Sequence, residues 1–236
     1  MKSLLSTITG ISVLTILSSC GSGKNSKDYL NDWKFTENID KAKIVKTDGE
    51  SGKMFDLLTS KTTGITFNNE LIETFDLNYY RYGYSYNGAG VGVGDFNNDG
   101  LQDLYFSGNV VPDRMYINKG NMQFEDVTAK CGINGKPGWS TGVTVVDINE
   151  DGWKDIYVCR ARYEDPEKRR NLLYVNNQDG TFTEKAKEFG IDDDSYSTHA
   201  NFFDADNDGD LDLYVVTHPT DFKDKNKQKN YQKIEE

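Results

Sequence analysis

Three segments of the chain repeat one nine-residue acidic pattern, and this repetition constrains the fold more than any other feature. The segments begin at residues 95, 147 and 204, which are 52 and 57 residues apart, and each reads D-x-[DN]-x-D-G-x-x-D. We number the residues of each segment as positions 1 to 9. Three copies at nearly constant spacing indicate a repeat architecture in which each unit contributes one such loop.

The spacing of the oxygen-bearing side chains predicts a calcium-binding loop. Side chains at positions 1, 3 and 5 of a tight loop converge on one point, the glycine at position 6 permits a sharp turn, and the carbonyl of position 7 adds a ligand. Hard oxygen ligands in a flexible loop suit Ca²⁺ better than Mg²⁺, which requires a stricter octahedron. Turn propensity explains Asp and Gly individually, but it does not explain an Asp at position 9 in every copy. We therefore expect about three calcium ions.

The EF-hand shares the first half of this pattern, but the rest of the sequence excludes it. An EF-hand loop requires a bidentate Glu at position 12 and a helix on each side. Position 12 is Phe106, Val158 or Val215 here. Short β-branched and aromatic runs flank each loop, and such runs are typical of strands. Each loop is therefore expected to join two strands.

A second pattern lies between the acidic loops and completes the repeat. Tyr-x-Asn, a turn containing Gly, and Phe occur at residues 116–124 and again at 174–182, and a looser copy without an acidic loop starts at Phe55. This pattern indicates a β-hairpin, and its Tyr and Phe rings are expected to pack between units.

One unit thus has four antiparallel strands, as a β-propeller blade has. The predicted strands are 89–95, 103–108, 114–118 and 122–126, then 141–147, 155–160, 171–176 and 181–184, then 198–204 and 212–217. The predicted fold is all-β, with about two and a half propeller-type blades.

The segment from Gly88 to Asp103 resembles an FG-GAP repeat, of the kind found in integrin α-subunits and in bacterial VCBS repeat-containing proteins. The resemblance covers about residues 55–217, and the chain is similar to the N-terminal part of exported bacterial lipoproteins, some of which end in an ASPIC/UnbV domain. It implies a β-propeller with calcium held in a loop of each blade. The side-chain ligands that it implies are Asp95, Asn97, Asp99 and Asp103, then Asp147, Asn149, Asp151 and Asp155, then Asp204, Asp206, Asp208 and Asp212. The carbonyls that it implies as further ligands are those of Leu101, Trp153 and Asp210.

The length departs from that of a closed propeller. Closed propellers use four to eight blades, and residues 219–236 are a polar tail with no strand pattern. Two explanations follow: a fragment or shortened gene product, which we favour, or a ring completed by partner copies.

The first 19 residues are predicted to be a lipoprotein signal peptide. Lys2 precedes a short apolar stretch, Leu4 to Leu17, that is shorter than a membrane-spanning helix requires. Leu17-Ser-Ser-Cys20-Gly21 resembles the bacterial lipobox, so Cys20 is expected to be lipidated; the alternative is an ordinary signal with a chance Cys. Residues 20–50 are then a flexible tether and N-terminal segment, and residues 51–218 hold the repeats. This predicts an exported bacterial lipoprotein on the outer membrane or cell surface, with the periplasmic face as the alternative.

The composition narrows the classes of function. Acidic residues outnumber basic ones, 38 to 27, which argues against nucleic-acid binding. His199 at the start of a predicted strand and His218 after another are expected to be surface or packing residues, and no hydrolase or phosphate-binding motif is present. Cys131 and Cys159 are expected to be unpaired structural thiols. The sequence thus predicts a non-enzymatic binding or adhesion module for protein or polysaccharide; the alternatives are a polysaccharide-active enzyme on a propeller scaffold and a non-functional fragment.

Overall fold

The computed structural model describes residues 55–133 and 138–219, and this part of the chain is almost entirely β-structure. Its ten strands form three antiparallel sheets of four, four and two strands, in the orders β1-β2-β3-β4, β5-β6-β7-β8 and β10-β9. The first sheet contains β1 (Val91–Gly94), β2 (Asp103–Phe106), β3 (Arg114–Asn118) and β4 (Phe124–Asp126). The second contains β5 (Trp139–Val146), β6 (Asp155–Ala161), β7 (Leu172–Asn176) and β8 (Phe182–Glu184). The third contains β9 (Ser197–Phe203) and β10 (Asp212–Thr217).

These sheets confirm the predicted all-β fold of incomplete propeller-type blades. Each predicted strand is present, with its ends shifted by two residues or fewer. The pairing of β5 with β6 shifts register between Ser140 and Val143, and that of β10 with β9 shifts between Val216 and Thr217. The predicted lipidation residue Cys20, the tether and nearly all of the polar tail lie outside the described residues.

The second sheet is the central layer because both of its faces are buried. Along β6, Ile156 and Val158 pack into the core shared with the first sheet. The alternating residues Tyr157 and Cys159 pack into the core shared with the third sheet. This period of two, with both faces apolar, is what stacked sheets require of a central strand.

The Tyr and Phe rings of the hairpins are mostly buried in these layers. Tyr116, Tyr174 and Phe182 are buried, and Phe124 is half-buried. Tyr174 lies 6.4 Å from Tyr105 of the first sheet, measured between ring centroids. The hairpin pattern therefore supplies packing residues for the interface between units.

A hydrogen-bonded polar group also joins the first and second sheets. The Tyr105 hydroxyl donates to Asp113 at 2.6 Å, and the Ser140 hydroxyl of the second sheet donates to the same carboxylate oxygen at 3.2 Å. Burial raises the pKa of Asp113, and the nearby charge of the buried Arg160 opposes that rise. Buried polar atoms need such partners, so this group helps fix how the sheets align.

The same arrangement recurs one unit later with an amide in place of the carboxylate. Asn171 donates to the hydroxyls of Tyr157 at 3.1 Å and Ser197 at 3.0 Å, and Ser197 belongs to the third sheet. The repeat therefore specifies inter-sheet hydrogen bonds as well as the acidic loops.

The looser N-terminal copy of the repeat packs against the first sheet in the way that the equivalent segment of the next unit packs against the second sheet. A Cβ placed on Gly64 would lie 2.6 Å from the carbonyl oxygen of Phe124, and one placed on Gly132 would lie 2.7 Å from that of Phe182. Both glycines have a positive φ, 76° and 79°. The short helix α1 (Ser60–Thr63) precedes the first of them, so this copy is helical there and forms no strand.

The two cysteines in the described residues are buried free thiols. Burial raises the pKa of Cys131, and it raises the pKa of Cys159 to about 12. Both groups are therefore packed as unreactive small apolar side chains. Among the described residues, no helix has the length and apolar character needed to cross a membrane.

Candidate metal centres

Each acidic loop connects the first two strands of its sheet and folds in the same way. The N–H of position 5 donates to the side-chain oxygen of position 1 at 3.1, 3.0 and 3.2 Å in the three loops. The N–H of position 6 donates to the other oxygen of position 1 at 2.8, 3.0 and 3.1 Å. The N–H of position 7 donates to position 5 at 2.8, 2.8 and 3.1 Å. Three independent stretches of chain thus converge on one loop geometry.

The backbone of each loop turns through two residues with positive φ. Position 4 is Asn98, Glu150 or Asn207, with φ of 55°, 57° and 62°, and the glycine at position 6 has φ of 86°, 84° and 97°. Glycine adopts this region without steric cost, and Asn tolerates it better than most residues. Within this turn the N–H of position 5 also donates to the side-chain oxygen of position 3, at 3.1, 3.3 and 3.3 Å, so positions 1, 3 and 5 lie together.

The third loop places three carboxylates in direct proximity. Oxygen atoms of Asp204, Asp206 and Asp208 all lie within 4.8 Å of one another, and this is the one such group of acidic, histidine or cysteine side chains among the described residues. A hydrogen bond with Asp208, and then its negative charge, raise the pKa of Asp210. Like charges at this distance repel one another, and a bound cation removes that repulsion.

The first two loops have Asn at position 3, and its amide changes the local balance of charge. Asn97 donates to the position 5 carboxylate Asp99 at 2.9 Å, and Asn149 donates to Asp151 at the same distance. In the third loop Asp206 has no such amide. The first two loops are thus partly stabilised by their own hydrogen bonds, whereas the third has an extra negative charge.

Position 9 is held differently from the other predicted ligands. Asp103 and Asp155 are fully buried, and one oxygen of each accepts the N–H of position 2, at 2.9 and 3.0 Å. The other oxygen accepts the backbone N–H of Asn118 or Asn176, at 2.8 Å in both cases. Burial raises the pKa of both carboxyls, and these N–H groups partly offset the rise. Asp212 is half-buried and accepts only the position 2 N–H, at 2.8 Å, from the described residues.

The hairpin asparagines position the loops, a role that the sequence pattern did not indicate. The Asn118 amide donates to the carbonyl of Gln102 in its own loop at 2.9 Å. The Asn176 amide donates to the carbonyl of Phe96 in the first loop at 2.8 Å and to that of Lys154 in the second at 3.3 Å. Asn176 therefore links the first two loops, and the only sequence signal for this is that Asn recurs in the Tyr-x-Asn pattern.

The structure brings together positions 1, 3 and 5 of each loop, and it places position 9 on backbone N–H groups. The residues at position 7, Leu101, Trp153 and Asp210, donate their N–H groups to position 5. The contributions of positions 7 and 9 to metal binding stay predictions. The donor set consists of carboxylate and amide oxygens on a tight turn, which is the chemistry that a hard cation such as Ca²⁺ prefers.

Comparison with known families supports the repeat assignment. The sequence model of the family described as FG-GAP-like repeat matches residues 95–158 and 163–215. These two stretches together contain all three acidic loops. No curated protein matches the chain significantly.

Proposed function

We propose that this FG-GAP repeat protein is a calcium-binding, lipid-anchored module of the cell envelope that binds a protein or polysaccharide. The observation that supports it best is the recurrence of one loop geometry three times, with oxygen-bearing side chains at positions 1, 3 and 5 each time. FG-GAP repeats suggest a propeller-type binding module. Calcium adds rigidity to the connections between the first and second strands of each sheet.

Calcium would be held by the side chains at positions 1, 3 and 5, with the position 7 carbonyl and position 9 as further candidates. The bound ion supplies positive charge that offsets the repulsion between the carboxylates. The chain's own residues shape the site: the N–H groups of positions 5 to 7 orient the carboxylates, and the hairpin asparagines attach each of the first two loops to its sheet. This arrangement requires little reorganisation on binding.

Calcium titration of the full chain by isothermal calorimetry tests this proposal. We expect about three ions, with dissociation constants of roughly 10⁻⁴–10⁻³ M, as in other extracellular calcium modules. The Asp208→Asn variant should lose one site. The control variant Glu188→Gln, which removes an exposed carboxylate outside the loops, should keep all of them. Absence of binding at millimolar calcium would refute the proposal.

The lipid anchor is supported by the signal-like start of the chain and by the lipobox-like sequence ending at Cys20. Acyl chains attached to this residue would hold the module at a membrane without a spanning helix. Metabolic labelling with a palmitate analogue should label the wild-type chain in a bacterial host and leave Cys20→Ser unlabelled. Equal labelling of both would contradict the anchor.

A further inference from the structure

A cavity of about 370 Å³ lies at the end of the sheets opposite the acidic loops. It is lined by residues at or near the starts of β1, β5 and β9, whereas the acidic loops follow the ends of the same three strands. From Gly142 to Asp147 the extended strand covers roughly 17 Å, at about 3.3–3.4 Å per residue. The cavity is thus separate from the candidate metal centres, and its volume lies in the usual range of about 300–1,000 Å³ for small-molecule sites.

An aromatic cluster forms one wall of this cavity. Tyr82 and Tyr84, from the segment before β1, pack against His218 at the end of β10, with ring centroids 5.8 and 3.9 Å away. The Tyr82 hydroxyl bonds to the imidazole Nε2 of His218 at 3.0 Å, and the ring of Tyr82 meets that of Trp139 edge-on at 5.4 Å. These contacts fix the positions of the rings relative to one another in the cavity wall.

The first strands of the three sheets supply another part of the cavity lining. A Cβ on Gly90 would lie 2.6 Å from the carbonyl oxygen of Thr141, and one on Gly142 would lie 2.5 Å from that of Thr198. These glycines allow the strands to approach, so we assign them a packing role. The approach brings the Thr141 and Thr198 side chains to the cavity, where each hydroxyl donates to a backbone carbonyl and keeps its lone pairs as acceptors.

Two polar side chains in the lining have no partner within the described part of the chain. Asn87 and His199 are both exposed, and neither the Asn87 amide nor the His199 imidazole forms a side-chain hydrogen bond to a described residue. The cavity therefore offers aromatic surface and hydrogen-bonding groups, and its described lining has no carboxylate, ammonium or guanidinium group to pair with an ionic ligand.

We propose that this cavity binds a neutral sugar ring, as the recognition site for a polysaccharide. The C–H groups on a sugar ring suit the electron-rich faces of aromatic side chains. Its hydroxyls both donate and accept, as the amide of Asn87 and the imidazole of His199 do. The proposal rests on the binding function proposed above, and it selects polysaccharide over protein as the ligand.

Calorimetric titration of the full chain with neutral sugars, in saturating calcium, tests the assignment. The panel is glucose, galactose, mannose, N-acetylglucosamine and their β-linked disaccharides, with galacturonic acid as the charged comparison and a neutral peptide pool as the comparison for protein ligands. We expect at least one neutral sugar to bind saturably, and we expect its affinity to fall about tenfold or more in Asn87→Ala and in His199→Ala. The control is Asn201→Ala, an exposed change on the same strand as His199 but outside the cavity lining, which should keep wild-type affinity.

The outcomes separate this assignment from the proposed function. Sugar binding that is unchanged in both cavity variants would overturn the site, and binding of only the charged sugar or a peptide would overturn the ligand class. If no member of the panel binds at millimolar concentration while three calcium ions still bind, the cavity assignment is wrong and the calcium proposal stands. If the wild-type chain binds no calcium, the calcium proposal is overturned instead.

Discussion

At the scale of single residues, the position 9 aspartates stabilise the loops through hydrogen bonds, independently of any ion. Asp155→Asn would turn an N–H of the amide toward one of two backbone N–H donors, leaving a buried donor without a partner. Such a loss costs about 1–3 kcal/mol. We therefore expect the free energy of unfolding, measured by urea denaturation in excess chelator, to fall by that amount.

Asp212→Asn is the matched control for this prediction. Its carboxylate is half-buried and accepts one backbone N–H, so the amide oxygen can keep that bond while the NH₂ group faces solvent. The change should cost less than Asp155→Asn. Equal costs for the two variants would show that the second backbone hydrogen bond contributes nothing.

Position 3 sets how strongly a loop depends on a cation. Asp206→Asn would give the third loop the amide that Asn97 and Asn149 supply in the other two, and it would remove one of three mutually close carboxylates. In chelator we expect a higher melting temperature than that of the wild type. At the same loop we expect the calcium affinity to fall by about tenfold, because affinity depends on the number of charged ligands. A lower melting temperature in chelator would contradict this account.

The residue pattern predicted the converging trio but not the role of position 9. The spacing of Asp and Asn along a tight turn determines which side chains point inward, so positions 1, 3 and 5 follow from the sequence. The partners of Asp103 and Asp155 include backbone N–H groups of Asn118 and Asn176, 15 and 21 residues further along the chain. Those contacts depend on how β3 and β7 pair with their neighbours, and no local pattern encodes that pairing.

At the scale of secondary-structure elements, Asn176 connects two loops that belong to different sheets. Its amide donates to the carbonyls of Phe96 in the first loop and of Lys154 in the second. Alanine would lose both of these bonds and keep only the backbone N–H that donates to Asp155. Asn176→Ala should therefore weaken calcium binding at both loops and increase hydrogen–deuterium exchange in both. The measurement is exchange mass spectrometry combined with calcium titration.

Asn118→Ala is the control for the effect of Asn176. Among the described residues, the Asn118 amide contacts a carbonyl of its own unit alone, so its loss should affect the first loop and leave the second unchanged. If Asn176→Ala changes only one of the two loops, the coupling between them is absent.

The strands were predictable because their residues repeat, whereas the segment before β1 was not. Each unit has a period near 55 residues, so one unit supports the assignment of the next. Tyr82 and Tyr84 have no counterpart in that repeat, and Tyr82 bonds to His218, 136 residues away. The cavity wall therefore arises from tertiary packing alone.

At the scale of the whole molecule, most of the charge imbalance lies in the repeated loops. The formal net charge is −11, and ten carboxylates occupy the proposed ligand positions. Three calcium ions would add six positive charges, leaving about −5. Calcium removal thus places strong like-charge repulsion in three loops that join consecutive strands, and the stability of the entire stack should depend on the ion.

Thermal unfolding with calcium or with chelator measures that dependence. A ligand at about 100 times its dissociation constant stabilises by about 2.7 kcal/mol per site, so three sites contribute on the order of 8 kcal/mol. For a chain of this size, about 2–4 °C per kcal/mol gives a rise in melting temperature on the order of 20 °C.

Magnesium at the same concentration should raise the melting temperature much less, because its octahedral preference fits these turns poorly. A variant with Asp99→Asn, Asp151→Asn and Asp208→Asn together should lose most of the calcium effect. An equal rise with magnesium, or a full rise in the triple variant, would show that the stabilisation does not come from these loops.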